Sequence, residues 1–130
     1  MSIKEMIAEH PDVEHHENDP LGDAVRHAMY CAAICNSCAD ACAAEPDVAD
    51  RRDCIRKCAD TSDICAATYR VASRRTGRNV EILRAMLEMC ATACEDCAEM
   101  CEGMKDDHCQ RCGRMCRECA RDCREAARNL

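Results

Sequence analysis

CATACEDCAEMC, residues 90–101, places cysteine at Cys90, Cys94, Cys97 and Cys101. Residues three and four apart share one face of a helix, so the spacing C-x3-C-x2-C-x3-C forms a single sulfur stripe. The same spacing recurs at Cys31, Cys35, Cys38 and Cys42, and again at Cys112, Cys116, Cys119 and Cys123. A fourth copy, Cys54, Cys58, Thr61 and Cys65, carries threonine in one place. Four copies of one amphipathic pattern, each with thiol on its buried stripe, predict four helices around a sulfur-lined axis.

The residues between the copies bound the helices. Asp19 and Pro20 open the first, and Glu45-Pro46 closes it near Ala44. Asp47 is the expected cap of the second, which runs to about Arg75 with Gly77 as its stop. Asn79 caps the third, which ends at Glu102 before Gly103. Asp106 or Asp107 opens the fourth, which reaches about Arg128. The expected spans are 20–44, 47–75, 80–102 and 107–128, and no segment alternates like a strand. Short connections make consecutive helices antiparallel neighbours. The predicted fold is all-α: an antiparallel up-down four-helix bundle with a cysteine-lined core over residues 20–130. A short N-terminal helix or tail precedes it over residues 1–19. There Ile3, Met6 and Ile7 have helical spacing, and His10, His15 and His16 read as solvated. Gly113 falls inside the fourth helix, at a cost of about 1 kcal/mol against alanine, and is expected to mark a place where chains or helices approach closely.

Composition narrows the function. A chain of 130 residues suits one domain. Its 18 basic and 25 acidic side chains give a net charge of −7 with no basic patch, which speaks against nucleic acid. No apolar run has signal-peptide or membrane-spanning length, so the expected chain is cytoplasmic, without a membrane partner, and its thiols are reduced. Sixteen cysteines then point to metal rather than a disulfide scaffold. Thiols four apart on one helix have Cβ atoms about 5–6 Å apart, where a disulfide needs about 3.5–4.5 Å. A neutral thiol is a small hydrophobe, so the metal-free bundle can fold. An oxidisable residue repeated in all four helices is nevertheless a poor choice of mere filler. Ile34, Ile55, Ile64, Leu83 and Leu87 are expected on the flanking faces, and apolar flanks imply an oligomer.

Sixteen soft ligands select Cu(I), zinc or iron–sulfur clusters. Four thiolates on each zinc leave two excess negative charges, and stacking such sites in a dry bundle is costly. Iron–sulfur ligation uses other cysteine spacings. Cu(I) accepts two or three thiolates, and a thiolate can bridge two ions. At a metal–sulfur distance of about 2.3 Å, two opposed sulfurs lie roughly 4.6 Å apart. A helical C-x3-C pair reaches that far, and Cys31/Cys35, Cys38/Cys42, Cys54/Cys58, Cys90/Cys94, Cys97/Cys101, Cys112/Cys116 and Cys119/Cys123 are such pairs. Cys65 and Cys109 are left to bridge. One monovalent ion per thiolate makes a loaded core neutral.

These cysteine runs resemble the bacterial copper storage proteins, over residues 20–130. The resemblance implies a bundle holding many Cu(I) ions along its axis, stored in reduced form, and a homotetramer. Without a signal peptide the chain looks like the cytosolic branch. Thr61 departs from the pattern in the second helix.

Antiparallel helices gather Cys42, Cys54, Cys101 and Cys109 at one end, where Met104 and His108 continue the stripe outward. The other end gathers Cys31, Cys65, Cys90 and Cys123, with His27 and Met86 each four residues before a cysteine. All four are candidate ligands for copper in transit, and the His108 end is the favoured mouth. The reading is a non-catalytic Cu(I) store that shields copper from Fenton-type chemistry and supplies a chaperone or cuproenzyme. Its rivals are a metallothionein-like buffer of zinc or cadmium, and an iron–sulfur or thiol redox protein. No histidine or carboxylate is patterned beside a distinguished cysteine, as catalysis would require.

Overall fold

The computed structural model describes residues 2–130. A short helix, α1 (Ile3–Ala8), precedes four long ones: α2 (Asp19–Ala43), α3 (Arg52–Ala72), α4 (Val80–Glu102) and α5 (Asp107–Arg128). A 3-10 turn, Val48–Arg51, leads into α3. Among the described residues there is no strand, and no helix is long and apolar enough to cross a membrane. α2 and α4 each pack against both α3 and α5, so the long helices form a square with consecutive helices side by side. The all-α four-helix bundle with a short N-terminal helix is therefore present as expected.

Side-chain chemistry explains where the helix bounds differ from the expected ones. Asn18 rather than Asp19 caps α2, its Oδ1 accepting from the Leu21 amide at 3.0 Å. Asp47 makes no cap bond. It accepts instead from Arg51 Nε at 2.6 Å, across a turn too tight for α-helix, and α3 proper starts at Arg52. α3 also ends early, at Ala72, and Gly77 supplies a left-handed residue (φ 82°) in the connection that follows. Asn79 turns back to accept from the Thr76 amide at 3.2 Å rather than capping α4. Asp106 likewise caps nothing and pairs with Arg51 Nη1 at 2.7 Å. Gly113 lies where α5 meets α4: a Cβ there would sit 3.3 Å from Glu102 Cγ and 3.6 Å from Cys101 Cβ.

All sixteen cysteines are buried free thiols. They fill the core from the middle of the bundle to one end. The other end is aliphatic, built from Leu21, Val25, Leu83 and Leu87 with Ala24, Ala28, Ala72 and Ala126. Leu83 and Leu87 thus leave the flanks, where the sequence reading put them, and take axial positions. Their heptad spacing continues that of Cys90, so the same stripe changes from sulfur to leucine along α4. Ile34, Ile55 and Ile64 remain half-buried on the flanks.

α1 packs on the start of α2. Its Ile7 joins the core, its Lys4 stem lies over Gly22, and the Lys4 ammonium pairs with Asp23 at 3.1 Å. The segment after α1 is ordered by turns rather than loose. His15 N donates to Ala8 O at 2.8 Å, Val13 is buried, and Glu14 and His15 have φ of 50° and 64°. Asn18 Nδ2 then donates to Asn129 O at 3.2 Å, tying this strap to the far end of the chain. On the outside, Arg117 forks onto Glu102 and Lys57 meets Asp96. Exposed pairs of this kind add little, so the packed axis carries the stability.

Replacing Leu83 by alanine should lower the stability of the copper-free protein by about 2–5 kcal/mol through the cavity it leaves. Ile82→Ala, on the exposed side of the same turn, should change it by less than about 0.5 kcal/mol. Denaturant unfolding under reducing conditions measures both.

Candidate metal centre

The helical period stacks the thiols in layers. Cys31, Cys65, Cys94 and Cys119, one from each long helix, have sulfurs within 4.8 Å of one another. Cys35, Cys97, Cys112 and Cys116 form a second such group, and Cys38, Cys58, Cys101 and Cys112 a third. Cys38, Cys42 and Cys109 form a fourth with the imidazole of His108. Cys90, Cys119 and Cys123 form one at the other end. Cys119 belongs to the first and last of these groups, and Cys112 and Cys38 link the other three; contacts of Cys31 with Cys35 and Cys116, each at 3.7 Å, join the two sets into one column. Cys54 joins it at 4.0 Å from Cys42.

The sulfurs touch without bonding. Cys35 and Cys116 are 3.5 Å apart, Cys65 and Cys94 3.6 Å, and Cys58 and Cys101 3.7 Å. Three of the C-x3-C pairs are in contact along their own helix: Cys31/Cys35 at 3.7 Å, Cys97/Cys101 at 4.0 Å and Cys119/Cys123 at 3.9 Å. Most other contacts cross between helices, as in Cys42 with Cys109 and Cys65 with Cys90, each at 3.7 Å. Candidate ligand sets are therefore shared among helices, whereas the sequence pairs lie within one. Thr61 is buried, and its hydroxyl donates to Ala93 O at 3.4 Å. Lacking a sulfur from α3 there, the Cys35 layer draws two from α5, Cys112 and Cys116.

The two ends of the column differ. Cys38 and Cys54 each retain 2% exposure and the other fourteen cysteines none, so the column comes nearest to solvent at the end that holds these two. His108 stands there, with Nδ1 3.4 Å from Cys38 Sγ and 3.5 Å from Cys109 Sγ. Its Nε2 lies 3.0 Å from Glu45 Oε1, which orients the ring. The contact with Cys38, and then that with Glu45, holds the His108 pKa above its ordinary value. Arg51 closes the same end. It is 5% exposed, and its Nη1 donates to Cys42 Sγ at 3.7 Å and Cys109 Sγ at 3.9 Å while held by Asp106 and Asp47. Burial pushes the Cys42 thiol up to about 11 and raises Cys109 as well, because a thiolate there loses its water. Both are therefore protonated near neutral pH.

Of the other candidate transit residues, Met104 packs half-buried against the core in the α4–α5 connection. At the aliphatic end the His27 Nδ1 is engaged by Asp122. Met86 lines an outer groove between α3 and α4 with Ile64, Ala67 and Met89, while Leu83 and Leu87 occupy the axis. In the N-terminal strap, His10 Nδ1 accepts from the Asp12 amide at 3.0 Å. Sequence reasoning missed Arg51, Glu45 and the role of Asp106. Nothing in Arg51-Arg52-Asp53 tells which arginine turns inward, since the 3-10 turn decides it.

No curated protein matches the chain. The family described as copper storage protein matches residues 17–128. Among solved structures, the copper storage protein Ccsp from Streptomyces lividans loaded with 10 copper equivalents is 36% identical. It covers 99% of this chain and 100% of its own, with a TM-score of 0.90. A structure of copper loading to the cytosolic copper storage protein of the same organism, with five coppers, is 40% identical. It covers 86% of this chain and 95% of that one, with a TM-score of 0.82. A double histidine-to-alanine variant of the Streptomyces protein matches at 40% identity over 86% and 96% of the two chains, with a TM-score of 0.82. A family match over most of the length, a shared fold and a thiol column together place this chain in the copper storage protein family.

Proposed function

We propose that this protein is a non-catalytic cytosolic store for Cu(I), with all sixteen cysteines as its ligands. The observation that carries the reading is the continuous column of buried free thiols, with sulfurs within 4.8 Å in each group and the groups joined by shared cysteines and by the contacts of Cys31 with Cys35 and Cys116. Soft, closely spaced sulfurs suit an ion that takes two or three thiolates and tolerates bridging. Storage also requires that the column be sealed from water, and fourteen of its thiols have no exposure at all. The relatives described as cytosolic and as copper-loaded support both the compartment and the cargo.

Copper enters at the His108 end under this reading. Leu83, Leu87 and the α1 strap close the opposite end with hydrocarbon, whereas Cys38, Cys54 and His108 border solvent. His108 and Met104 are the transit ligands. Captured ions pass inward from sulfur to sulfur, each displacing a thiol proton. The same mouth serves release to a chaperone or cuproenzyme. The working assembly is a homotetramer, and the apolar groove around Ile64, Met86 and Met89 on the α3–α4 face supplies surface for it, Met89 being 58% exposed.

Anaerobic titration of the reduced protein with Cu(I), against a competing chelator, should show uptake of about one ion per cysteine, bound tightly throughout; saturation after one or two ions would end the storage reading. Zinc in the same assay should leave most thiols free. Each thiolate formed releases a proton, so apparent affinity should rise with pH across the neutral range, by up to about tenfold per unit for every proton released. His108→Ala should slow loading severalfold in stopped-flow without changing capacity, and unaltered rates would move the mouth elsewhere. Light scattering should give four times the chain mass, falling when Met89→Glu puts a charge in the groove.

A further inference from the structure

Arg51 is a buried cation that copper uptake by the thiols does not itself require. Among the described residues it is the one lysine or arginine whose side chain donates to the thiol column, reaching Cys42 and Cys109 through a single nitrogen. The arrangement is built. Asp47 takes Nε and Asp106 takes Nη1, and both carboxylates stand at helix N-cap positions without making cap bonds. Two helix starts thus forgo a stabilising interaction to aim one guanidinium at two sulfurs.

Accepting the copper-store reading above, we propose that Arg51 is the retention residue of the mouth, holding the outermost copper through its two sulfur ligands. The argument is one of charge. Deep in the column a thiolate can bridge ions on both sides, which spreads its charge. Cys42 and Cys109 end the column and have no further sulfur layer outside them to share with. A Cu(I) ion held by two such thiolates carries one excess negative charge. Arg51 Nη1, one of whose hydrogens goes to Asp106, shares its other N–H between those same two sulfurs. Its hydrogen bonds at 3.7 and 3.9 Å are weak against neutral thiols and become charge-assisted once the sulfurs are copper-bound thiolates. Arg51 therefore favours the loaded state over the empty one, which is how a residue outside the coordination shell tunes a metal site. The guanidinium suits the role because it cannot lose its charge and presents donors in a fixed fork.

The test compares Arg51→Gln and Arg51→Lys with the unaltered protein by Cu(I) competition and by the rate of copper loss to a chelator. Arg51→Gln should surrender its most labile copper about 10–100-fold more readily, the range seen when a group hydrogen-bonded to a metal ligand is changed. The remaining copper should be held as in the unaltered protein, and Arg51→Lys should recover part of the loss. Thermal unfolding of the copper-free variants reports separately on Arg51 as a brace between the turn and α5. Unchanged affinity and release in Arg51→Gln, whatever its melting temperature, would reduce Arg51 to that brace. Faster uptake at unchanged affinity would make it a steric plug and likewise overturn retention. Failure of the unaltered protein to take up copper would instead reject the storage reading itself.

Discussion

Everything in this bundle depends on contact between buried sulfurs. A cysteine side chain is small, and a stripe of them leaves a narrow axis that only close helices can fill. The sulfurs touch at 3.5–4.0 Å, so they fill the axis. Gly113 serves the same end by letting α5 approach α4 where a methyl group would crowd Cys101. A two-coordinate copper needs its sulfurs roughly 4.6 Å apart, wider than these contacts. Loading therefore opens pairs that now touch, or uses sulfurs that lie across the axis from one another.

The column has a direction because its ends are made of different materials. Leucine, valine and alanine offer a soft ion nothing to bind, and the α1 strap lies against them. At the other end Glu45, Asp47, Asp106, His108 and Arg51 surround the last sulfurs. Burying an arginine there is tolerable only because two carboxylates accept from it. These polar groups come from the α2–α3 and α4–α5 connections and the first turn of α5, so the turns that reverse the chain also supply the charge at this end of the column.

The stripe was legible because a helix repeats at a nearly constant angle and cysteine is rare enough that its spacing stands out. That gave the four helices, their antiparallel order and the thiol core. What escaped was set by competition that spacing does not encode. Asp47 and Asp106 read as caps, and each chose Arg51 over a backbone amide. Leu83 and Leu87 read as flank residues because the stripe was defined by sulfur; in the fold they extend the same stripe. Met86 and His27 have the right offset from a cysteine, yet one faces the outer groove and the other is engaged by Asp122. Offset along a helix fixes a direction only to within the turn, and a neighbouring helix decides the rest.

The charge of the cargo explains how so many sites can share one dry interior. A monovalent ion that displaces one proton leaves the column's charge unchanged, so filling one position does not electrostatically oppose filling the next. A divalent ion displacing four protons adds two negative charges at each step, with the low dielectric of the core enlarging every repulsion. Capacity for Cu(I) is then limited by the supply of sulfurs. That limit is local at Thr61, where α3 offers a hydroxyl already committed to Ala93 O. The Cys35 layer answers with two cysteines from α5, which keeps four sulfurs in the layer at the expense of one from each helix. At the end of the column, beside Cys42 and Cys109, stands the one buried guanidinium among the described residues.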